Sequence, residues 1–454
     1  ALAPSAPAQQ ALPPVAAATA GAATPSADAA DAIAAMLPEA MERLHVPGVV
    51  VGIVQGGEVR YLQGFGWADV HARKPIDASS TLMRVGSVSK LLIAVAVARE
   101  VEAGRLEMTA PVNRYLSAFK LPSFGAQEIT VEHLLTHTAG FDEDIVNLTR
   151  RPGGADESLG DYLAASVPAL IRRPGQVIQY SNYGMALAAH IVELVSKQDF
   201  RSYVSRHILG PLAMNSSTFS EPHDVSGSGA NAGAAASALA GSFHFAGSAY
   251  VSTPYLEIRP YPAGSLLATA ADMCKFILAM LPSGEGGGVV SSDSLAAMQA
   301  KRFANYPQLP GIGMAWFVGS RNGAVVASHG GNIWDFSSEL LLLPEHDFGV
   351  FISGNGAQAG RLIDEAIDAI FASAFPAPEL VGGPNGESQT VGARTGVAEA
   401  GRAYSGVYRL NRYPRRGPGK ISAMFMENRA RFSDDGTRLT LSSGAGASFP
   451  EVSA

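Results

Sequence analysis

The sequence predicts a mixed α/β (α+β) fold, in which an antiparallel sheet is flanked by terminal helices and carries an inserted, mainly helical lobe. Strand-like apolar runs occur near both ends of residues 28–375, and amphipathic helices lie outside those runs. Residues 87–282, between the runs, have the pattern of helices and loops. Two lobes follow from this arrangement, and the crevice between them is where we expect a ligand to bind.

The elements of the sheet can be assigned in order. Residues 28–44 repeat apolar side chains at helical spacing, with Pro38 marking a kink. The runs GVVVGIVQ and EVRYLQGF follow, joined by Gly56 and Gly57, a pair typical of a two-residue hairpin turn. Near the other end, IGMAWFV, AVVASH, SELLLLP and FGVFISG predict four further strands, and residues 362–371 continue as an amphipathic helix.

Composition divides the chain into four parts. Residues 1–27 are an Ala- and Pro-rich leader that cannot bury a core, so we expect it to be disordered. Residues 28–375 form the main domain, and residues 376–400 form a polar linker. Residues 401–454 have the pattern of a small β-rich module, which we expect to be incomplete where the sequence stops. Residues 224–250, rich in Gly, Ala and Ser, predict a mobile surface loop at the mouth of the crevice.

Charge and cysteine content restrict the partners. The net charge of -7 comes from 33 basic and 40 acidic residues without a long run of either sign, which favours a small-molecule or peptide substrate over nucleic acid. No apolar stretch is long enough to span a bilayer, although a membrane anchor beyond residue 454 is compatible with the sequence. The single cysteine, Cys274, lies in a helical pattern and predicts a buried thiol. The leader is typical of proteins exported behind a removed signal peptide, which predicts a bacterial periplasmic location.

A serine followed three positions later by a lysine is the first candidate for catalysis. On a helix this spacing brings amine and hydroxyl to one face, and a serine hydroxyl needs such a base to become a nucleophile. Ser87 and Lys90 have this spacing at the start of an apolar helix after Gly86, where a buried lysine is costly without a partner. Ser117 and Lys120 match the pattern too, but a polar, Pro-flanked loop favours a solvated lysine there. We therefore predict that Ser87 is the nucleophile.

Tyr180 and Asn182 are the next candidates. A phenol beside a lysine can relay protons, because the reference pKa values of the two groups are close, at about 10 and 10.4. The sequence leaves open whether Lys90 or Tyr180 takes the serine proton. Asn182 would donate to a substrate carbonyl. The alternative is that the Tyr180 hydroxyl caps the helix that follows it.

The third candidate is the run His329-Gly330-Gly331-Asn332 at the end of a predicted strand. Two glycines there allow a substrate to approach the backbone closely, so that amide groups can point at a developing oxyanion. The alternative is a tight turn between two strands.

These motifs resemble those of the family that contains class C β-lactamases, D-alanyl-D-alanine carboxypeptidases, D-aminopeptidases and related esterases. Its three signatures occur in order: Ser-x-x-Lys within MRVGSVSK, Tyr-x-Asn as Tyr180 to Asn182, and Lys/His-x-Gly as His329 to Gly331. Supporting segments include ITVEHLLTHTAGF, PGQVIQYSNYGMALAAHIVE, GPLAMNSSTF and PAGSLLATAADMCKF, and the match runs over most of residues 28–373.

The resemblance implies a β-lactamase/transpeptidase-like fold and a serine hydrolase that forms an acyl-enzyme without a cofactor or metal. It implies catalysis by Ser87, Lys90 and Tyr180 and substrate contacts from Asn182, His329, Gly331 and Asn332. The oxyanion hole would consist of the backbone amides of Ser87 and Asn332.

The third motif departs from the β-lactamase form of the family. β-Lactamases of this group carry Lys-Thr-Gly there, whereas this chain has His329 and Gly330 in the first two places. A histidine is largely neutral near pH 7, so a cation for a β-lactam carboxylate is weakened. We therefore expect the substrate to be a peptide containing a D-amino acid or a small ester, with β-lactams as the alternative.

The sequence leaves two rival functions open. His133 and His137 could hold zinc from one helical face, but neither the glutamate that a zinc hydrolase uses as base nor a third ligand is evident. A non-catalytic penicillin-binding sensor of the same fold is the other rival, and the presence of all three motifs argues against it.

Overall fold

The computed structural model describes residues 25–142, 147–153, 157–221 and 237–377, and the backbone of 406–409, 427–432, 438–443 and 452–453. Its helices are α1 Pro25–Arg43, α2 Lys90–Glu102, α3 Val131–Leu135, α4 Leu159–Ala165, α5 Asn182–Ser196, α6 Phe200–Val204, α7 Ala270–Met280, α8 Ser292–Gln299 and α9 Ala359–Ala374. A 3₁₀ turn, Gly86–Ser89, precedes α2. In this described part, no helix is long and apolar enough to cross a membrane.

The strands of the first half are β1 Gly48–Gln55, β2 Glu58–Asp69, β3 Lys74–Pro75, β4 Met83–Arg84, β5 Thr149–Arg150, β6 Phe243–Ala246, β7 Ala249–Ser252, β8 Glu257–Ile258 and β9 Leu267–Ala268. Those of the second half are β10 Gly311–Ile312, β11 Phe317–Arg321, β12 Ala324–Ile333, β13 Phe336–Leu343, β14 Phe348–Gly354, β15 Gly406–Arg409, β16 Glu427–Phe432, β17 Arg438–Ser443 and β18 Val452–Ser453.

One eight-stranded sheet organises the main domain, in the order β10-β11-β12-β13-β14-β1-β2-β3. Strand β1, from the start of the chain, pairs antiparallel with β14, from near the end of the domain. The predicted hairpin at Gly56 and Gly57 is present, and both residues have positive φ angles, of 61° and 75°, which glycine adopts without steric cost. The predicted fold class, an antiparallel sheet with terminal helices and a helical lobe, is confirmed.

The two faces of the sheet bury different helices. Along β1, Val49, Val51 and Ile53 face the core that contains α1 and α9, whereas Val50 and Val54 join the larger core of the helical lobe. This alternation follows from the two-residue period of a strand. It explains why β1 is apolar at consecutive positions. The central helix α2 is buried on nearly all sides in the larger core, which places its first residue deep in the molecule.

Several sequence-based boundaries differ from the structure. Helix α1 starts at Pro25, ahead of the predicted residue 28, and continues through Pro38. The run IGMAWFV forms two short strands, β10 and β11, because the chain turns at Ala315, which has a φ of 63°. The prediction of one loop over 224–250 is wrong in its second part, where β6 and β7 pair as a hairpin. Residues 224–236 lie outside the described residues.

The predicted C-terminal module is described only in its strands, which form a four-stranded sheet in the order β15-β16-β17-β18. Residues 420–426, within the predicted strand KISAMFMEN, lie outside the described residues, as do 1–24 of the leader and 378–400 of the linker. The division into leader, linker and separate module stays a prediction.

Candidate active site

The turn before α2 brings the first motif together. Gly86 has a φ of 56°, and Ser87 follows it in the 3₁₀ turn rather than in the α-helix that the sequence predicted. Residues i and i+3 eclipse one another in a 3₁₀ turn. Lys90, the first residue of α2, therefore lies directly over Ser87, with 2.9 Å between Lys90 Nζ and Ser87 Oγ.

Lys90 is fully buried, with 0% of its surface exposed. Besides Ser87 Oγ, its Nζ donates to Asn182 Oδ1 at 2.8 Å and to the backbone oxygen of Ala263 at 2.5 Å. The sequence predicted neither the contact of Lys90 with Asn182 nor that with Ala263.

Tyr180 lies beside the same amine. The Nζ of Lys90 is 4.9 Å from the centroid of the Tyr180 ring. Helix α5 is capped by Ser181, whose Oγ accepts from the backbone N–H of Gly184 at 2.9 Å. The alternative that Tyr180 caps this helix is therefore wrong.

Two neighbours that the sequence analysis did not assign to this site position the Tyr180 ring. Phe317 stacks on it with an interplanar angle of 12°, and the His137 ring lies 4.3 Å away, centroid to centroid. His137 Nδ1 also accepts from the backbone N–H of Ser181 at 3.2 Å. These contacts hold the ring from two sides, so its place at the cleft depends on residues from three separate segments.

The glycines of the third motif allow β12 to approach the nucleophile turn. A Cβ on Gly331 would lie 2.0 Å from the Val85 carbonyl oxygen and 3.0 Å from the Ser87 nitrogen. A Cβ on Gly86 would lie 3.0 Å from the Asn332 nitrogen. Only glycine fits at either position. The backbone amides of Ser87 and Asn332 are consequently neighbours across this contact, while the alternative of a turn at these glycines is wrong because β12 continues to Ile333.

His329 is buried beside Lys90, with 1% of its surface exposed. Its Nδ1 donates to the backbone oxygen of Gly330 at 2.7 Å, since a carbonyl can only accept. Burial and, to a smaller extent, the charge of Lys90 lower the pKa of His329 to about 3, although the Gly330 bond acts in the opposite direction. The imidazole is therefore neutral well below pH 6.5, the region in which an exposed histidine becomes charged.

Gly330, which stands in place of the threonine of the β-lactamase motif, faces the Glu339 side chain. A Cβ at this position would lie 2.7 Å from Oε2 of Glu339, its partner across the β12–β13 pair. Burial raises the pKa of Glu339 to about 7. A larger residue at 330 would therefore require the Glu339 side chain to shift.

A cleft of about 420 Å³ opens over Ser87, between the sheet and the helical lobe. Of the predicted site residues, Ser87, Tyr180, Asn182, His329 and Asn332 line it. Lys90 and Gly331 lie behind this surface. The rest of the lining is mostly apolar and comprises Gly86, Leu148, Thr149, Ile258, Ala263, Gly264, Phe317, Gly330, Ile333 and Trp334.

His133 and His137 do not have the arrangement that the zinc hypothesis required. Helix α3 ends at Leu135, and His137 beyond it has a φ of 54°, so the two imidazoles do not share a helical face. His133 belongs to the capping box of α3, in which its Nδ1 accepts from the backbone N–H of Thr130 at 3.1 Å. Within the described ranges, no group of three or more His, Cys, Asp or Glu could hold a metal ion.

Cys274 is buried as predicted, and burial raises its pKa to about 12.

Comparison with curated proteins yields relatives of limited identity. Protein flp of Staphylococcus aureus (strain MW2) is 27% identical over 343 residues, which are 72% of this chain and 63% of that protein. The chain therefore spans less than two thirds of the length of this relative.

Solved structures share the fold. The octameric penicillin-binding protein homologue from Pyrococcus abyssi superposes with a TM-score of 0.64 at 21% identity, over 90% of this chain and 87% of that one. EstCE1, described as a hydrolase with promiscuous acyltransferase activity, superposes with a TM-score of 0.62 at 20% identity, over 76% of this chain and 99% of its own. The family model named Beta-lactamase matches residues 33–374, and this range contains every motif described above. The chain belongs to the beta-lactamase family.

Proposed function

We propose that the protein is a serine hydrolase that cleaves a neutral amide or ester, namely a peptide containing a D-amino acid or a small ester, through an acyl-enzyme on Ser87. The observation that carries the proposal is the 2.9 Å contact between Lys90 Nζ and Ser87 Oγ. When Lys90 is a neutral amine that donates its two hydrogens to Asn182 Oδ1 and the Ala263 carbonyl, both acceptors, its lone pair can take the proton of the Ser87 hydroxyl.

The reaction would proceed in two steps. Lys90 takes the proton of Ser87 as Oγ attacks the substrate carbonyl carbon, and the N–H groups of Ser87 and Asn332 stabilise the oxyanion. The bond to the leaving group then breaks, and Tyr180 passes the proton from Lys90 to that group. Water attacks the acyl ester in the second step, which releases the acid and restores Ser87. The two proton-carrying groups lie close enough to share this task, with the Tyr180 ring 4.9 Å from Lys90 Nζ.

Specificity for a neutral scissile region is supported by the third motif. His329 is neutral, and its Nδ1 proton is engaged by Gly330. A carboxylate beside the scissile bond would gain no charge-assisted contact from this imidazole, whereas such contacts contribute about 1.5 to 3 kcal/mol. Apolar side chains such as Phe317 and Ile258 favour an uncharged substrate in the same cleft.

Two other functions fit the family: hydrolysis of β-lactams and non-catalytic penicillin binding. A panel of nitrophenyl esters, D-amino-acid peptides and a cephalosporin, assayed with purified protein, distinguishes them. We expect turnover of the first or second class above that of the third. Stoichiometric acylation without turnover would support the binding protein instead, and efficient cephalosporin hydrolysis with little ester or peptide turnover would support the β-lactamase.

Export to a bacterial periplasm is part of the same proposal and is supported by the Ala- and Pro-rich composition of residues 1–27. Fractionation of cells that express the full precursor tests it, since the protein should appear with periplasmic markers.

A further inference from the structure

An exposed tryptophan forms part of the wall of the cleft over Ser87. Trp334 is 38% exposed, although tryptophan is highly buried in proteins on average. It lines the cleft, and it also lines a smaller cavity of about 240 Å³ together with Arg84 and Tyr255, which do not line the cleft. The indole therefore separates the two spaces, with one side toward Arg84 and the other toward the cleft.

The backbone holds this tryptophan in an unusual conformation. Ile333 and Phe336 form the last pair of the β12–β13 ladder, and the two residues between them, numbered 334 and 335, connect the strands. Trp334 has a φ of 49°, in the left-handed region. Glycine, asparagine and aspartate are usual at such positions in tight hairpins, whereas a bulky residue is an outlier there. Residues kept in such conformations concentrate at functional sites.

Arg84 supports the indole on the side away from the cleft. Its guanidinium carbon lies 5.0 Å from the centroid of the Trp334 ring and 4.0 Å from that of the Tyr255 ring. Arg84 is 4% exposed, its Nη2 donates to the backbone oxygen of Leu256 at 2.8 Å, and Glu221 supplies a negative charge nearby. The indole thus rests on a fixed support. Such preorganisation reduces the entropy that is lost when a ligand binds to the opposite face.

An uncharged aromatic ring is the ligand group that suits this face of the indole. Aromatic rings pair in offset-stacked or edge-to-face arrangements, and such pairs contribute affinity beyond the area that they bury. A cationic group is disfavoured, because Arg84 already lies against the indole and two cations near one ring repel each other. The adjoining lining residues Ile333 and Ile258 are apolar and provide no partner for a charged group of either sign.

The position of Trp334 along the chain indicates which half of a substrate carries this ring. The leaving group must receive its proton from Lys90 and Tyr180, and His329 on β12 lies at that end, with its ring centroid 6.1 Å from that of Tyr180. Trp334 lies beyond Asn332 in the other direction. Two residues of extended chain span about 7 Å, so a short linker from the scissile carbonyl covers this distance. The acyl half of the substrate therefore extends toward the indole.

We propose that Trp334 is an aromatic platform that binds an uncharged aromatic ring in the acyl half of the substrate. The proposal rests on the hydrolase function proposed above, and it narrows the substrate class to amides or esters whose acyl group carries such a ring. Trp334 is then a residue that determines specificity and not a catalytic residue, since no proton or bond is transferred at the indole.

The first test compares the nitrophenyl esters of 4-phenylbutanoate and 4-cyclohexylbutanoate, which have the same number of carbon atoms and differ in the aromatic character of the ring. We expect the kcat/KM of wild type to be about fivefold higher for the phenyl ester, a gain typical of one aromatic pair. The cyclohexyl ester is the more apolar of the two, so a merely hydrophobic wall would favour it. A wild-type ratio of one or below would overturn the proposal without reference to any variant.

Variants at two tryptophans of similar exposure locate the effect. Trp334→Leu removes the ring but keeps an apolar side chain at the same φ, and it should lower the phenyl-to-cyclohexyl ratio to about one or below. Trp334→Phe retains a ring and should keep part of the preference. Trp67→Leu is the matched control, because Trp67 is 41% exposed on β2 and does not line the cleft, so it should retain the wild-type ratio. A full phenyl preference in Trp334→Leu would contradict the platform.

Binding to Ser87→Ala protein decides the question if neither ester is hydrolysed. The N-methyl amide of 4-phenylbutanoate should bind about fivefold more tightly than that of 4-cyclohexylbutanoate in calorimetric titrations. Equal affinities, or tighter binding of the cyclohexyl amide, would overturn the platform. The expected difference in affinity without turnover of either ester would contradict the hydrolase function alone.

Discussion

Two segments of this chain share the pattern Ser-x-x-Lys, but they differ in the burial of the lysine and in the contact between the lysine and the serine. Lys90 is fully buried at the start of α2 and donates to Ser87 Oγ. Lys120 is exposed outside any helix and donates to the backbone oxygens of Asn113 and Leu116, while Ser117 is exposed as well. Spacing alone therefore carries no catalytic information. The segment with Ser87 differs in two respects. A 3₁₀ turn aligns its two side chains, and burial restricts the amine to a few hydrogen-bond acceptors.

The largest expected effect on kcat comes from the loss of Lys90, which we compare with the loss of Lys120. Lys90→Ala should lower kcat about a thousandfold, within the range of about 10² to 10⁴ typical of a lost general base. Lys120→Ala is the matched control, and we expect it to leave kcat unchanged because its amine only joins two loop carbonyls. Steady-state kinetics on any substrate that the panel identifies will measure both. Comparable losses in the two variants would remove the distinction between the segments.

The second prediction concerns the coupling of Lys90 with Tyr180. Because the two groups hand one proton between them, Tyr180→Phe should have little further effect on kcat once Lys90 is alanine. Tyr115→Phe provides the control, since its hydroxyl only accepts from the backbone N–H of Glu107. Tyr115→Phe should change kcat by the same factor whether residue 90 is lysine or alanine. Rate losses that multiply in the Lys90 and Tyr180 double variant would contradict a shared proton path.

The third prediction addresses the polarity of the third motif. A lysine at 329 can carry its charge along a flexible stem into the cleft, whereas the wild-type imidazole is neutral. His329→Lys should therefore raise the ratio of kcat/KM for a cephalosporin over a short nitrophenyl ester by about tenfold. His329→Gln keeps the position neutral and should not raise the ratio. An unchanged ratio in the lysine variant would mean that residue 329 does not control selectivity for anionic substrates.

The smallest effect is a pH dependence of stability. Between about pH 3 and 6.5 the unfolded chain protonates His329 and the folded chain does not, so the free energy of unfolding falls as the pH falls. Wild type should lose about 2 kcal/mol more than His329→Asn between pH 7 and 5. Urea denaturation measures this difference, and the two curves should run parallel between pH 7 and 8. Parallel curves below pH 6 would contradict the low pKa of His329.

The sequence was sufficient to predict the parts of the fold and site that depend on local pattern. The hairpin at Gly56 and Gly57 follows from the need for positive φ, and the helix α9 follows from its apolar spacing. The order of the three motifs likewise led to Ser87, Lys90 and Asn182, which the structure brings together.

Contacts made by backbone atoms and by tertiary packing could not be predicted. The Ala263 carbonyl that accepts from Lys90 has no side-chain signature, and it lies 173 residues further along the chain. The burial that keeps His329 neutral depends on segments packed around it and not on its neighbours in sequence.

The most direct test of the account is the site of covalent labelling. Wild-type protein treated with a fluorophosphonate and digested should show the adduct on Ser87 by mass spectrometry, because this is the serine whose hydroxyl contacts a buried amine. Ser87→Ala should take up no label, and Ser117→Ala should be labelled as wild type is. An adduct on Ser117, or labelling that survives the loss of Ser87, would contradict the central claim that Ser87 and Lys90 form the catalytic pair.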